Sequence, residues 1–216
     1  MTVKLFRPFP GISLLFLAAS LTRAFCVEQI TPAAEPPSVR PPCCRPALTN
    51  SPPTERSLYQ LDSVWTSDVG ARVRLEAFAG RPQLIALFFT QCEFACPILV
   101  HDMKRLQSAM PESMRGAVDL LLVSLDSERD TPPVLAEFRK QHHLMPDHWT
   151  LLTGQPDDVR ELAALLGVNY RKDGRGQFAH SNLLTVLNAR GEIVHQQVGL
   201  NQDPAAAVDA LVKAMK

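Results

Sequence analysis

Residues 84–100 read LIALFFTQCEFACPILV, a continuous apolar run followed by two cysteines and the start of a predicted helix. An apolar run of this length is typical of a strand buried on both faces of a sheet. Beyond the second cysteine, apolar residues recur at helical spacing, at Leu99, Met103, Leu106 and Met110. The stretch therefore predicts a buried strand that leads into a helix through a short loop carrying Cys92 and Cys96.

Elsewhere in the chain, short apolar runs alternate with amphipathic segments. Strands are predicted at 120–125, 149–152, 183–187 and 193–198, and a small hairpin at 64–66 and 72–75. Helices are predicted to begin at Thr131, Pro156 and Asp203. This alternation indicates a layered α/β domain with a partly parallel sheet. The chain is predicted to end with a strand, a hairpin and a helix, which is the order of these elements in the thioredoxin fold. We therefore predict an α/β, thioredoxin-like fold, in which helices flank a central mixed sheet and a β-hairpin comes first.

The first residues resemble an export signal. Lys4 and Arg7 precede an apolar run at 11–21, and small residues mark a cleavage site after Ala24. A membrane-spanning helix needs about 20 apolar residues, so this run is too short to span. We predict a signal peptide at 1–24, and a membrane anchor for this chain is doubtful.

A proline-rich stretch follows the predicted signal. The chain contains 18 prolines, and those at 32, 36, 37, 41, 42, 46, 52 and 53 crowd into one segment. Such a segment cannot form a helix or a sheet ladder and favours an extended linker. We predict a flexible linker at 25–57 and a folded domain at 58–216.

The charge balance excludes one class of partner. The chain has 22 basic and 22 acidic residues, a formal net charge of zero, and 46% hydrophobic residues. Nucleic-acid binders normally carry a basic excess, so no nucleic-acid partner is predicted. An exported globular protein is expected instead, in a compartment where disulfides persist.

Two of the five cysteines carry the strongest chemical signal. Cys26, Cys43 and Cys44 lie in the N-terminal segment, whereas Cys92 and Cys96 lie at the predicted helix start. A helix N-terminus favours the thiolate form that attacks disulfides and binds metals, and four-residue spacing brings two sulfurs to one side of a turn. The pair therefore predicts either a disulfide or a site for one soft metal ion.

A soft metal ion such as Cu(I) needs a third ligand beside two thiolates, and histidine is a suitable one. His180 is the best candidate, because it precedes a predicted strand and follows a charged, glycine-containing loop at 172–178. His101 is a weaker alternative, one helical turn beyond Cys96. His142 and His143 are expected at the surface. Met103 and Met110 fit the apolar stripe and are expected in the core rather than at a metal.

Three ordered blocks carry a resemblance to a known family. They are FFTQCEFACPILV at 88–100, VSLDSERDTP at 123–132, and LLTG at 151–154 followed by Ala179-His180-Ser181. Together they resemble the SCO/SenC family, thioredoxin-fold copper chaperones for cytochrome oxidase assembly, over about residues 58–215. The resemblance implies a copper ion as the bound cofactor, with Cys92, Cys96 and His180 as its ligands.

Several residues depart from the family pattern. Ala179 stands where the family often has aspartate, and Ser127 stands where proline is common. A short signal replaces the usual N-terminal anchor. Cys43 and Cys44 lie outside the resemblance. They form an auxiliary copper or redox arm, or they are two unrelated thiols of the N-terminal segment, or they make an intermolecular link. Cys26 is unassigned.

The resemblance implies a function and a partner. The expected function is an extracytoplasmic copper-binding chaperone that delivers copper to a cytochrome oxidase subunit or another cuproprotein. Its expected location is the periplasm or the outer face of the inner membrane, where a membrane-associated partner is expected. The alternative is a thiol–disulfide oxidoreductase, in which Cys92 and Cys96 form the redox-active pair that reduces the recipient's cysteines.

Overall fold

A computed structural model describes residues 53–174 and 176–215. Its elements, in chain order, are β1 (Trp65–Ser67), β2 (Arg72–Val73), β3 (Gln83–Phe88), α1 (Ala95–Ala109), α2 (Glu112–Arg115), β4 (Asp119–Ser124), α3 (Pro132–Gln141), β5 (Trp149–Thr153), α4 (Pro156–Leu166), β6 (Tyr170–Lys172), β7 (Phe178–His180), β8 (Leu183–Leu187), β9 (Ile193–Val198) and α5 (Ala205–Ala214).

The main sheet has seven strands in the order β2-β1-β5-β4-β3-β8-β9. Strands β3, β4 and β5 run parallel to one another, while β8 pairs antiparallel with β3 and β1 pairs antiparallel with β5. All six residues of β3 are buried, because a strand covered on both faces exposes neither of its alternating sets of side chains. The predicted fold, a mixed sheet flanked by helices with an N-terminal hairpin β1–β2, is confirmed.

Two apolar clusters cover the two faces of this sheet. Leu84 and Phe88 point into one cluster together with α1, α3 and α5. Ile85 and Leu87 point into the other together with α4 and the hairpin β1–β2. This division follows from the alternation of side chains along a strand. The helix α1 is therefore anchored on one face of the sheet, with its first residues at the end of β3.

The helix ends follow local rules, with one exception. Gly167 ends α4 in the left-handed conformation, at φ 71°, which glycine adopts without strain. Thr131 lies at the N-cap position of α3, as predicted, but its side chain makes no capping hydrogen bond. Pro132 and Pro133 occupy the first helical positions and have no N–H group there to donate. Pro133 thus removes one of the two N–H groups that an N-cap side chain usually bonds, and the Thr131 side chain does not bond the other.

The hairpin β6–β7 was not predicted, whereas the hairpins β1–β2 and β8–β9 were. Strands β6 and β7 form a separate two-stranded sheet, in which Tyr170 pairs with His180. The sequence predicts a loop at 172–178, because these short strands carry no apolar alternation. They flank a tight turn instead, and His180 is the last residue of β7 rather than part of a loop.

The N-terminal predictions lie outside the described residues. They include the signal at 1–24, most of the linker at 25–57, and the cysteines Cys26, Cys43 and Cys44. Among the helices that the structure describes, none is long and apolar enough to cross a membrane.

Candidate metal centre

Cys92 and Cys96 lie between the end of β3 and the first turn of α1. Cys96 is fully buried, at 0% exposure, while Cys92 is partly exposed, and both are free thiols. The backbone N–H of Cys96 donates to Sγ of Cys92, with 3.3 Å between nitrogen and sulfur. The loop therefore holds a partly exposed cysteine next to a fully buried one.

His180 approaches the buried sulfur from the hairpin β6–β7. Its Nε2 lies 3.9 Å from Sγ of Cys96, although the two residues are 84 positions apart in sequence. Its Nδ1 lies 3.1 Å from the carbonyl oxygen of Ser181. A carbonyl only accepts hydrogen bonds, so Nδ1 carries the proton and Nε2 presents its lone pair towards the sulfur. This is the tautomer that an Nε2 metal ligand requires.

Aromatic rings enclose the His180 side of the site. The Phe89 ring lies 6.0 Å from the His180 ring and 5.2 Å from the Phe178 ring, measured between centroids. Burial lowers the pKa of the His180 imidazole, and the contact with the Ser181 carbonyl opposes that shift. The imidazole is therefore neutral at neutral pH and available as a ligand.

The buried sulfur has the opposite shift. Burial is the main cause that raises the pKa of the Cys96 thiol, a hydrogen bond with the Phe89 backbone opposes it, and Cys92 adds to it. The thiol thus holds its proton at neutral pH, and a metal ion that binds this sulfur must displace that proton.

The structure brings Cys96 together with each of the other two predicted ligands. The three predicted ligands do not converge on one point in the structure. Within 53–174 and 176–215, no group of three or more His, Cys, Asp or Glu side chains is arranged to hold a metal ion. The set Cys92, Cys96 and His180 therefore stays a prediction, with two of its contacts in place.

The other histidines and methionines lie elsewhere. His101 is exposed on α1, whereas Cys96, the cysteine one helical turn away, is buried. His142 packs on the Phe138 ring, with 4.1 Å between ring centroids. Met103 and Met110 are buried in the apolar cluster that includes α1, so the prediction that they belong to the core is confirmed.

Asp130 supports the cysteine loop from beneath and was not singled out from the sequence. Its carboxylate is fully buried and accepts hydrogen bonds from the Thr90 amide, at 3.0 Å, from the Thr90 hydroxyl and from the Ser124 hydroxyl. Burial raises its pKa, and these hydrogen bonds oppose the shift. The sequence did carry a signal for Asp130, because this residue follows a predicted buried strand. The carboxyl ends of the parallel strands β3 and β4 meet at one edge of the sheet, where ligands usually bind.

Two further residues at this edge were also missed. Phe94, between the two cysteines, is 80% exposed, although an aromatic residue normally avoids water. Arg129 donates to Gln91, with 2.9 Å between Nη1 and Oε1, and contacts two other segments. Exposure and long-range contacts of this kind leave no pattern in the local sequence.

Comparison with known proteins identifies the family. Residues 53–216 match the SCO1/SenC protein family.

The chain belongs to the SCO1/SenC family.

Individual relatives agree with this membership. A Stutzerimonas stutzeri protein, named as copper-binding, is 27% identical over 145 residues, which span 65% of this chain and 69% of that protein. The mitochondrial SCO1 homologue 1 of Arabidopsis thaliana is 26% identical over 153 residues, which span 69% of this chain and 45% of that protein. The chain thus spans under half of the length of the second relative.

A solved structure supports the fold of this SCO1/SenC protein. The crystal structure of Arabidopsis thaliana ScoI with copper bound superposes with a TM-score of 0.62 at 24% identity, over 71% of this chain and 95% of that one. The predicted thioredoxin-like fold and the predicted family are therefore both confirmed.

Proposed function

We propose that this SCO1/SenC protein is an extracytoplasmic copper chaperone that binds copper through Cys92, Cys96 and His180. The observation that carries the proposal is the approach of His180 Nε2, as a free lone pair, to the buried Cys96 sulfur at 3.9 Å. A relative named as copper-binding and a related structure with copper bound add support.

The donor atoms suit a soft ion. Thiolate and imidazole are ligands that Cu(I) prefers. Cys96 Sγ and His180 Nε2 lie 3.9 Å apart, close enough for both atoms to bind the same ion. One ion therefore fits between these two donors with little movement, and the Cys92 sulfur, beside the Cys96 amide, is available as the third donor.

The exposure of the ligands suits transfer rather than storage. Cys92 is partly exposed, while Cys96 is buried. An incoming thiolate of a partner protein meets Cys92 first and replaces the ligands one at a time. The recipient is a cytochrome oxidase subunit or another cuproprotein, and copper is cargo that leaves with it. We place this exchange in the periplasm or at the outer face of the inner membrane, because residues 1–24 have the pattern of an export signal.

A thiol–disulfide oxidoreductase is the second candidate function. The partly exposed Cys92 beside the free Cys96 thiol favours it, since Cys92 attacks a recipient's disulfide and Cys96 resolves the mixed disulfide. The recipient gains two thiols while Cys92 and Cys96 close a disulfide, so electrons and protons balance. This reaction does not use His180 as a ligand.

An anaerobic Cu(I) titration separates the two candidates. The full-length chain is reduced, with Cys26, Cys43 and Cys44 changed to serine so that only Cys92 and Cys96 bind as thiols. Copper is titrated against a competing chelator. We expect one tight equivalent, and a loss of at least about tenfold in affinity for His180→Ala, the lower end of the losses that follow changes around a metal site.

His101→Ala is the matched control, because His101 is an exposed histidine on α1. It should bind copper like the parent chain. Tight binding that is indifferent to His180 would remove this residue from the ligand set. No tight binding, with fast reduction of a disulfide substrate, would favour the oxidoreductase instead.

A further inference from the structure

Arg129 links three segments around the candidate site. Its guanidinium forms an ion pair with the buried Asp126 in its own loop between β4 and α3. It donates to the Gln91 side chain, next to Cys92, at 2.9 Å. It also donates to the carbonyl oxygen of Gly176, in the turn between β6 and β7. We call these three contacts the Arg129 bridge.

The hairpin that carries His180 depends on such contacts for its position. It is a separate two-stranded sheet, and its residues are exposed or only partly buried. An isolated two-stranded hairpin is at best marginally stable in water. Phe178 packs on Phe89, and Lys172 pairs with Glu128 at 2.6 Å, with both of these charged side chains partly in solvent. The Arg129 bridge connects this same hairpin directly to the loop of Cys92.

We propose that Arg129 is a positioning residue that sets the approach of His180 to Cys96. The inference rests on the proposed copper site and assigns a residue that holds the imidazole in place. A guanidinium has several N–H donors in a rigid planar fork, so it contacts an acid, an amide and a carbonyl at once. A lysine ammonium in the same place keeps the positive charge beside Asp126 but does not span the three partners.

Asp126 determines which variants are useful. Its carboxylate is 1% exposed, and its Oδ1 has no hydrogen-bond partner within the described residues. Removal of the whole arginine side chain leaves this buried charge unpaired, so Arg129→Ala is at risk of unfolding. Arg129→Lys avoids this risk, and Gln91→Ala removes one contact of the Arg129 bridge at an exposed position.

A double-mutant cycle tests the proposal. Cu(I) affinity is measured for the parent chain, Arg129→Lys, His180→Ala and the double variant, all without Cys26, Cys43 and Cys44. We expect Arg129→Lys to lose about tenfold in affinity, Gln91→Ala to lose less, and the double variant to bind like His180→Ala alone. Non-additivity of this kind shows that Arg129 acts through His180. The matched control is Arg160→Lys, in an exposed ion pair on α4, and it should bind like the parent.

A measurement on the metal-free chain supplies a second readout. The rings of Phe89 and His180 are 6.0 Å apart between centroids, which predicts nuclear Overhauser contacts between their edge protons. We expect these contacts to weaken in Arg129→Lys, and to persist in Arg160→Lys, while contacts within β3 and β4 stay intact in both variants.

Each outcome bears on a separate statement. If the parent chain binds no copper tightly, the proposed function fails, and the ring contacts alone decide whether Arg129 positions the hairpin. If the parent binds copper tightly but Arg129→Lys binds equally well, or if the two substitutions are additive, the positioning role of Arg129 is wrong.

Discussion

At the residue scale, the candidate site combines one protonated and one unprotonated donor. Burial raises the pKa of the Cys96 thiol and lowers the pKa of the His180 imidazole. Both shifts favour the neutral form, as expected where burial penalises charge. The metal-free site is therefore uncharged at Cys96 and His180, and a metal cation that bound there would replace the thiol proton.

This chemistry predicts a pH dependence of copper binding. Because the raised pKa keeps Cys96 protonated through neutral pH, each copper ion bound releases that proton together with any proton on the Cys92 thiol, and affinity rises by at least about tenfold per pH unit. His180 is already neutral there and adds no slope above its lowered pKa. Competitive Cu(I) titrations at pH 6.5, 7.2 and 8 would measure this slope, after correction for the competitor's own pH dependence.

The His180→Ala variant is the control for the origin of that slope. It should bind copper more weakly at each pH while keeping the same dependence, because the proton comes from a cysteine. An affinity that does not change with pH in the parent chain would contradict the assignment of a protonated Cys96.

At the element scale, the N-terminal hairpin extends the main sheet and closes one apolar cluster. Strand β1 pairs with β5 through Thr66 and Thr153. The indole of Trp65, the first residue of β1, is fully buried. Gly154, the residue after β5, lies directly against this indole: a Cβ atom there would be 2.6 Å from Cε3 of Trp65. The close approach of β1 to the end of β5 thus depends on a residue without a side chain.

Gly154→Ala should therefore destabilise the fold. The added methyl group forces the buried indole or the strand to shift, and overpacking of this kind costs about 1–3 kcal/mol in free energy of unfolding. Urea unfolding followed by tryptophan fluorescence would measure the change. Gly174→Ala is the control, because nothing lies within 4 Å of a Cβ at that position, and it should stay within about 0.5 kcal/mol of the parent. Equal stability of the two variants would contradict the proposed contact.

At the scale of the whole molecule, the candidate site lies where the parallel strands end. Cys92 follows β3, and Asp126 and Asp130 follow β4, so their loops meet at one edge of the sheet. This is the edge at which open α/β sheets usually bind ligands. His180 reaches the same edge from a separate hairpin, so a metal ion bound by all three predicted ligands would connect the hairpin to the sheet.

Copper should consequently stabilise the native chain. A ligand that binds only the folded state at 1,000 times its Kd adds about 4 kcal/mol to the free energy of unfolding. An unfolded chain still binds copper through the neighbouring Cys92 and Cys96, but it lacks the contribution of the distant His180. Anaerobic thermal unfolding with and without Cu(I) should show a rise in Tm for the parent and a smaller rise for His180→Ala. Equal rises in the two proteins would argue against His180 as a ligand.

The local sequence by itself determined the strands of the main sheet, its longer helices and the place of the cysteines. The apolar run of β3, the helical spacing of α1 and the terminal Gly167 of α4 each act over one turn or one strand, where steric and burial rules apply directly. The position of Cys92 and Cys96 at a strand end followed from the same rules. The family resemblance also named His180, although local patterning predicted a loop before it.

Only the tertiary structure decided how His180 reaches Cys96. The strands β6 and β7 are short and mostly polar, so no period in their sequence marks them, and their pairing exists because the rest of the domain supports them. The burial of Cys96, the tautomer of His180 and the contacts of Arg129 depend on residues far apart in the chain. Such contacts arise from packing between elements, and the physical quantities that define them, distance and solvent exclusion, do not exist before the chain has folded.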